Sequence, residues 1–594
     1  MAIVNEMSRR RFLVQSGFGL LAGASLPAWL PAMEGMAAMP KLAALKASPN
    51  FKPDVELNLI CKPSSMAILP GQLTKVLQYI AKLVKGPDDT LTELPGSYLG
   101  PVMRFKQGQK IRINLTNLLE QPSITHWHGL HVPAEMDGHP RYVIDKGETF
   151  VYEFEMLNRA SMNIYHPHPH NTTASQVYHG LAGAILVNDA EEQRLELPSG
   201  EYEIPIVIQD RLFDQDNQLV YVRHRHDRMM GFYGDRVLIN GRPDFNLDVA
   251  SRAYRFRVLN GSTARIYKLA WDDNTPITVI GTDGGLLEKP VNKAYVMLAP
   301  GERLDIWADF SGRKVGSQLV MRSRSFSGVL PGMAERMGGM HTTALAVGSD
   351  YPVFSVRVSK AVSDSPVLPP KLSHIQHYQL SDTANPEKPV PISISEGPMA
   401  MLLNGRPYAF DDVQANERIK LNSIQLMEIY HEHSGMGHGA GAGGHGKGHG
   451  MGGGMGMMGG MQHNQGQDAD TGNGHGMGMM GGMRHGANNT QDAGEAMGMM
   501  GGGMGMMMSM AHPIHLHGQY FQVLSRTSQN AESEHYASVK DGFIENAWKD
   551  TVLVMPGERV KIIKPFQDFK GLFMFHCHNL EHEDMGMMRD FLVE

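Results

Sequence analysis

Four short motifs place paired histidines at the two ends of the chain. They are His126-Trp127-His128-Gly129 and His166-Pro167-His168 near the start, and His512-Pro513-Ile514-His515-Leu516-His517-Gly518 and His576-Cys577-His578 near the end. Residues i and i+2 of a β-strand face the same way, so each His-x-His pair presents two imidazoles on one face. Neutral imidazole suits copper, zinc, iron and nickel. Eight imidazoles exceed what one mononuclear site uses and predict a cluster of two or three metals. Cys577, between two of them, faces the opposite side, so its thiolate is free for a second, separate metal. His582 lies five residues past the cysteine and Met587 ten past it, and His512 is the histidine left over from the third motif. Two histidines, one cysteine and a weak axial methionine are the ligand set of a blue-copper electron-transfer site.

The elements that must position these groups read as β. Lys110-Ile111-Arg112-Ile113-Asn114-Leu115 and Tyr254-Arg255-Phe256-Arg257-Val258-Leu259 alternate polar and apolar residues, the mark of half-buried strands. Helical periodicity is scarce; Leu73 to Val84 is the main exception and is expected to be a helical surface insertion. The chain repeats itself. Lys146-Gly147-Glu148, Pro300-Gly301-Glu302-Arg303 and Pro556-Gly557-Glu558-Arg559 each lead into an alternating strand, and Ile239-Asn240-Gly241-Arg242-Pro243 returns as Leu403-Asn404-Gly405-Arg406-Pro407. With 594 residues the chain is too long for one core. These repeats point to three related β-sandwich domains at about 52–190, 200–350 and 370–594.

The motifs, in this order at the two chain ends, resemble those of the multicopper oxidases over essentially the whole mature chain. The resemblance implies three cupredoxin-like Greek-key sandwiches, an all-β fold, and four copper ions, with a trinuclear cluster between the first and third domains. It assigns His512, Cys577, His582 and Met587 to type 1 copper and His126 and His515 to type 2. One type 3 copper falls to His128, His166 and His578, the other to His168, His517 and His576. Asp137, nine residues past His128, and Glu583, next to His582, resemble family positions that relay protons to dioxygen. His139 and His170 are expected to be neighbouring or surface groups and not ligands. Cys61 has no local metal partner and reads as a buried, inert thiol.

The stretch from Gly435 to Met510 is mostly Gly, Met and His, with clusters such as Met455-Gly456-Met457-Met458 and Met504-Gly505-Met506-Met507-Met508. It lacks the aliphatic residues of a core and is expected to be a disordered loop inserted in the third sandwich. Thioethers are soft and select Cu(I), and the interspersed histidines suit Cu(II). The stretch resembles the Met-rich insertions of bacterial cuprous oxidases of copper tolerance. That group commonly carries an Asp and a Met just before the type 1 histidine as part of a substrate-copper site. Here Met510 fits the methionine, but Met508 stands where the Asp would.

The net charge of −7 gives no reason to expect a nucleic-acid partner. Two cysteines cannot build a disulfide framework. Ser8-Arg9-Arg10-Arg11-Phe12-Leu13 before a short apolar run resembles a twin-arginine signal over residues 1–38. It implies export of a folded protein to the periplasm or medium, with no membrane association after cleavage near Ala37 or Ala38. The expected reaction couples one-electron oxidation of Cu(I), in copper tolerance, to reduction of dioxygen to water by a monomer. Two alternatives stand beside it: a laccase acting on small phenols or aromatic amines, and a non-catalytic copper-sequestering protein.

Overall fold

A computed structural model of the protein describes residues 41–332, 345–397, 400–431 and 509–594. Residues 1–38, expected to be an export signal, and the Met-rich stretch, apart from Ser509 and Met510, lie outside the described residues.

The described chain is built from strands in six sheets, which follow one another in three pairs along the sequence. Each pair contains the same four-strand arrangement. Its opening strand (Val55–Met66, Glu203–Arg211 or Val390–Gly397) pairs antiparallel with the next strand in its sheet (Thr74–Lys85, Arg236–Ile239 or Ala400–Leu403). On its other side it pairs parallel with a later strand (Lys110–Asn117, Ala253–Asn260 or Ser423–His431). That strand in turn pairs antiparallel with Thr149–Glu155, Arg303–Asp309 or Glu558–Phe566.

The sequence repeats sit at equivalent points of this arrangement. Lys-Gly-Glu and the two Pro-Gly-Glu-Arg turns introduce the last strand each time, and their glycines, Gly147, Gly301 and Gly557, all have φ near +80° (85°, 83° and 77°), where a Cβ is disfavoured. The two Asn-Gly turns are left-handed at both central residues (Asn240 51°, Gly241 75°; Asn404 53°, Gly405 65°), the conformation whose twist matches a two-residue hairpin. The fold is therefore all-β, three cupredoxin-like sandwiches, as the repeats indicate.

One expectation fails. Residues 73–84 do not form a helical insertion; Thr74–Lys85 is an edge strand, hydrogen-bonded along Val55–Met66 from Met66↔Thr74 to Glu56↔Lys85. Its apolar residues recur at near-helical spacing because an edge strand leaves much of its surface to solvent: Ile80 and Val84 are exposed while Val76 and Tyr79 are buried. The partner strand, invisible to a local window, decides the conformation.

The largest core gathers around the third sandwich and includes Ile514, Leu516, Phe575, Cys577 and Met587. A second core fills the middle sandwich and a third the first. Among the described residues no helix is long and apolar enough to cross a membrane.

Candidate metal centres

His126 and His128 lie on the strand Thr125–His128, which pairs with Ser161–Pro167 so that His126 faces His166. His512 and His515 lie on His512–Leu516, which pairs with Gly571–Cys577 in the register Ile514↔Cys577 and His515↔His576. The ligand atoms of His126, His515 and His517 lie within 4.8 Å of one another, as do those of His126, His128 and His166, and of His168, His517 and His576. His578 joins them through its ring, 4.9 Å from that of His128 and 5.6 Å from that of His166 between centroids. All eight are buried. Gly301 is why the His578 ring fits: a Cβ there would lie 3.0 Å from three of its ring atoms.

The outer nitrogens reveal which way the lone pairs point. Nδ1 of His126 meets the Asp137 carbonyl at 2.6 Å, that of His166 the Pro167 carbonyl at 2.9 Å, that of His515 the Asp550 carbonyl at 2.9 Å and that of His576 the Cys577 carbonyl at 3.1 Å. A carbonyl only accepts, so each Nδ1 carries the proton and each Nε2 holds a lone pair. His517 donates Nδ1–H to Asp137 Oδ2 (2.7 Å). His128 is turned the other way, with Nε2 3.1 Å from Asp550 Oδ1 and Nδ1 facing inward. The inward nitrogens of His126, His128, His166 and His515 have no hydrogen-bond partner among the described residues. The Nε2 atoms of His517 and His576 face each other at 3.1 Å, with His168 Nε2 3.3 Å from His576 Nε2. Acceptor lone pairs converging in a buried space cannot satisfy one another. Each unpaired group costs about 1–3 kcal/mol, and cations bound among them would relieve the whole set.

Burial, reinforced by neighbouring imidazoles, holds His128, His166, His168, His517 and His578 far below the ordinary histidine range and brings His515 to about 3, so these rings are neutral and metal-competent near neutral pH.

The second centre lies on the opposite face of the same strands. Cys577 Sγ is 3.4 Å from His512 Nδ1 and 3.7 Å from His582 Nδ1. The outer nitrogens are again occupied: His512 Nε2 lies 2.8 Å from Glu396 Oε1 and His582 Nε2 3.0 Å from the Met229 carbonyl. His582 sits on the short helix Leu580–Asp584, whose first turn is capped by the Asn579 side chain. Met587 is fully buried, and its carbonyl accepts from the Cys577 N–H at 3.0 Å. Burial raises the Cys577 thiol. A bound metal reverses that, since a coordinating thiol deprotonates.

Asp137 and Glu583 both border the histidine cluster. Asp137 Oδ2 accepts from His517 while Oδ1 is 3.3 Å from His126 Nδ1, and burial raises its carboxyl. Glu583 Oε2 is 3.1 Å from His576 Nδ1 and Oε1 is 3.6 Å from His168 Nε2. Neither Glu583 oxygen has a partner in hydrogen-bond geometry among the described residues. His139 is buried, with Nε2 3.1 Å from Asp590 Oδ1, and His170 stacks on Tyr408 at 5.3 Å; neither is grouped with the ligand atoms. Cys61 is buried and unbridged, its thiol pushed up to about 12 by desolvation. Met510 is buried and its N–H donates to Glu396 Oε1 (2.7 Å). Met508 lies outside the described residues.

Sequence reasoning missed four site residues. Asp550 touches His128, and Arg303, from the middle sandwich, grips it with two 2.6 Å hydrogen bonds. Burial would raise Asp550, but Arg303 and His128 outweigh it and hold the carboxylate well below its usual range. Arg303 lay in plain view as the last residue of a repeated turn, with nothing local to mark it as a site residue. Glu396 and His431, on separate strands of the third domain's other sheet, also border His512.

Comparison with known proteins agrees with this geometry. Family profiles described as multicopper oxidase match residues 78–192 and 461–594, the two regions that carry the histidine motifs. The multicopper oxidase mco of Staphylococcus haemolyticus is 27% identical over 84% of this chain and 83% of its own. The laccase of Bacillus subtilis is 25% identical over 85% and 90%. The crystal structure of the McoA multicopper oxidase from Aquifex aeolicus superposes with a TM-score of 0.65 at 27% identity, over 94% of this chain and 98% of the other. The chain belongs to the multicopper oxidase family. It is accordingly an oxidoreductase that uses four coppers, of types 1, 2 and 3, and passes electrons from a substrate to dioxygen. The unpaired inward nitrogens and the Cys577 pocket are a donor set that fits those ions.

Proposed function

We propose that this oxidase takes electrons from Cu(I) at a type 1 site formed by His512, Cys577, His582 and Met587. They pass to a trinuclear site held by His126 and His515, by His128, His166 and His578, and by His168, His517 and His576. Bound copper supplies one-electron transfer at the first site and reduction of dioxygen to water at the second. The observation that supports these ligand sets is the pattern of outer hydrogen bonds, which leaves a lone pair on each anchored ring directed inward. Cys577 is covalently flanked by His576 and His578, so the two sites are joined by a few backbone bonds. Asp137 and Glu583 hold and pass the protons that dioxygen reduction consumes; buried carboxylates beside the ligand rings, with oxygens left unpaired, suit that task.

The choice of Cu(I) rests on the Met- and His-rich stretch that ends at His512, because soft thioethers select cuprous ions. The laccase reading, oxidation of small phenols, is favoured by the name of the Bacillus subtilis relative. Oxygen uptake by the copper-loaded protein decides between them, measured with Cu(I) and with a simple phenol, with and without residues 436–507. A strong preference for Cu(I) that weakens on deletion supports the cuprous oxidase. Equal turnover of phenol, unaffected by deletion, supports the laccase.

The reading extends to a monomer exported by the twin-arginine route, acting in copper tolerance in the periplasm. Its domains fall at about 52–190, 200–350 and 370–594; strand Tyr351–Lys360 goes with the second by its pairing.

A further inference from the structure

The two histidines of the mononuclear centre are covered by segments of opposite charge. Both rings are fully buried. His512 Nε2 is backed by the Glu396 carboxylate, and His582 Nε2 by the Met229 carbonyl at 3.0 Å. The segment that carries Met229 runs Tyr221-Val222-Arg223-His224-Arg225-His226-Asp227-Arg228-Met229-Met230. It sets three arginines and two histidines against one aspartate, in a chain whose net charge is −7. Arg223 and Arg225 are exposed and Arg228 is half-buried. Among the described residues, none of the three guanidinium groups has an ion pair or a hydrogen bond. Exposed arginines elsewhere do find carboxylates: Arg357 pairs with Asp248, Arg418 with Glu594 and Arg559 with Glu428. Asp227 uses its Oδ2 on the backbone N–H groups of Arg223 (2.8 Å) and His224 (3.1 Å) and pairs with no arginine. The segment is also anchored. Tyr221 donates its hydroxyl to Glu581 Oε1 at 2.9 Å, next to His582, and Met229 and Met230 join the core. Val222 is held at φ 44°, a left-handed conformation that a β-branched residue adopts only where its surroundings impose it.

We propose that Arg223, Arg225 and Arg228 form a docking site for aromatic anions, phenols that carry a carboxylate or sulfonate, whose electrons enter by way of Met229 and His582. This goes beyond the Cu(I) reading: it uses the same type 1 ligand set and does not depend on the choice of Cu(I). A guanidinium fork offers two parallel N–H donors to a carboxylate or sulfonate, and its plane stacks on an aromatic ring, so arginine suits both halves of such a donor. Arg228 is bonded directly to Met229, whose carbonyl accepts from His582 Nε2, so a ring held there is a few bonds from the ligand. The carboxylate behind His512 repels the same donor, and the two ring edges thus differ in the charge they admit. Each phenol loses one electron and its hydroxyl proton; four phenols and one dioxygen give four phenoxyl radicals and two waters.

Hydroquinone and hydroquinone sulfonate, the same ring without and with a fixed negative charge, test this on the full-length, copper-loaded enzyme. In the wild type, kcat/KM for the sulfonate relative to that for the neutral ring is expected to fall about 10-fold from low to high salt, because exposed charges are screened. Arg223→Gln, Arg225→Gln and Arg228→Gln combined should lower that ratio about 10- to 100-fold at low salt and remove its salt dependence. Lysine at the same three positions should restore most of it. Binding is read apart from turnover: benzene disulfonate, which is not oxidised, should bind the wild type in calorimetry and the glutamine variant about 10-fold more weakly. Arg225→Glu alone serves if the triple variant does not load copper, and should lower the same ratio and the same affinity. A wild-type ratio indifferent to salt, or a glutamine variant that keeps the wild-type ratio and disulfonate affinity, overturns the proposal. Arginine-dependent binding confined to a polyanion such as heparin overturns it too, in favour of a macromolecular partner. The Cu(I) reading fails separately, on the oxygen-uptake comparison of Cu(I) with a neutral phenol.

Discussion

The two metal centres share strands but are built on different plans. The histidine cluster draws its rings from residues 126–168 and 515–578, brought together from the two ends of the chain, with Arg303 and Asp550 locking the first, second and third sandwiches around it. The mononuclear pocket takes all its proposed ligands from the third sandwich, between His512 and Met587. The cluster is thus an interface as well as a site, and its integrity depends on how the domains dock. The pocket's ligands are local and set by one sheet register, Ile514↔Cys577, with only the Met229 carbonyl behind His582 coming from the middle sandwich. What they share is the orienting rule: a carbonyl or carboxylate sits behind the anchored rings and fixes the tautomer.

The sharpest way to break the comparison is Cys577→Ser. Blue absorption and turnover of every reducing substrate should vanish, while copper content falls only from four to three per chain, measured by elemental analysis. Loss of all four coppers would show that the cluster is not independent of the pocket. Asp137→Asn and Glu583→Gln come next. Each should lower kcat about 10²-fold and leave the stopped-flow rate of type 1 reduction unaltered, since both carboxylates contact rings of the cluster. Wild-type oxygen reduction in both would remove their proton role. Arg303→Met strands the Asp550 charge and should cost about 3–5 kcal/mol of stability, with copper lost from the cluster before the blue centre; calorimetry and metal analysis read both. The smallest effect belongs to the other cysteine. Cys61→Ala should cost about 1 kcal/mol and keep all four coppers, because that thiol makes only weak hydrogen bonds to Asn117 Oδ1 and the Thr116 carbonyl within the core of the first sandwich, away from both centres.

Much of this was legible in the residues. The His-x-His spacing with Cys577 in register marked two back-to-back sites, and the structure groups seven of the eight cluster histidines by ligand distance, with His578 adjoining through its ring. The repeated turns marked three related sheets, because a left-handed backbone demands glycine or asparagine wherever it occurs. Thr74–Lys85 departs from its local pattern where the first sandwich lacks the Asn-Gly turn that follows the equivalent strand, Arg236–Ile239 or Ala400–Leu403, in the other two.

Local pattern determined the ligand types, their faces and the recurring turns, since these depend on a few neighbouring residues. Tertiary structure alone decided what stands behind and beside them. Arg303 and Arg559 close the same Pro-Gly-Glu-Arg turn, yet Arg303 is buried against Asp550 at the cluster while Arg559 is an exposed partner of Glu428. Glu396 and His431 likewise look like ordinary strand residues until the two sheets of the third sandwich set them against His512. A side chain's chemistry is written in its type. Its charge partner, its burial and the lone pair it meets come from residues hundreds of positions away, and only folding brings those into contact.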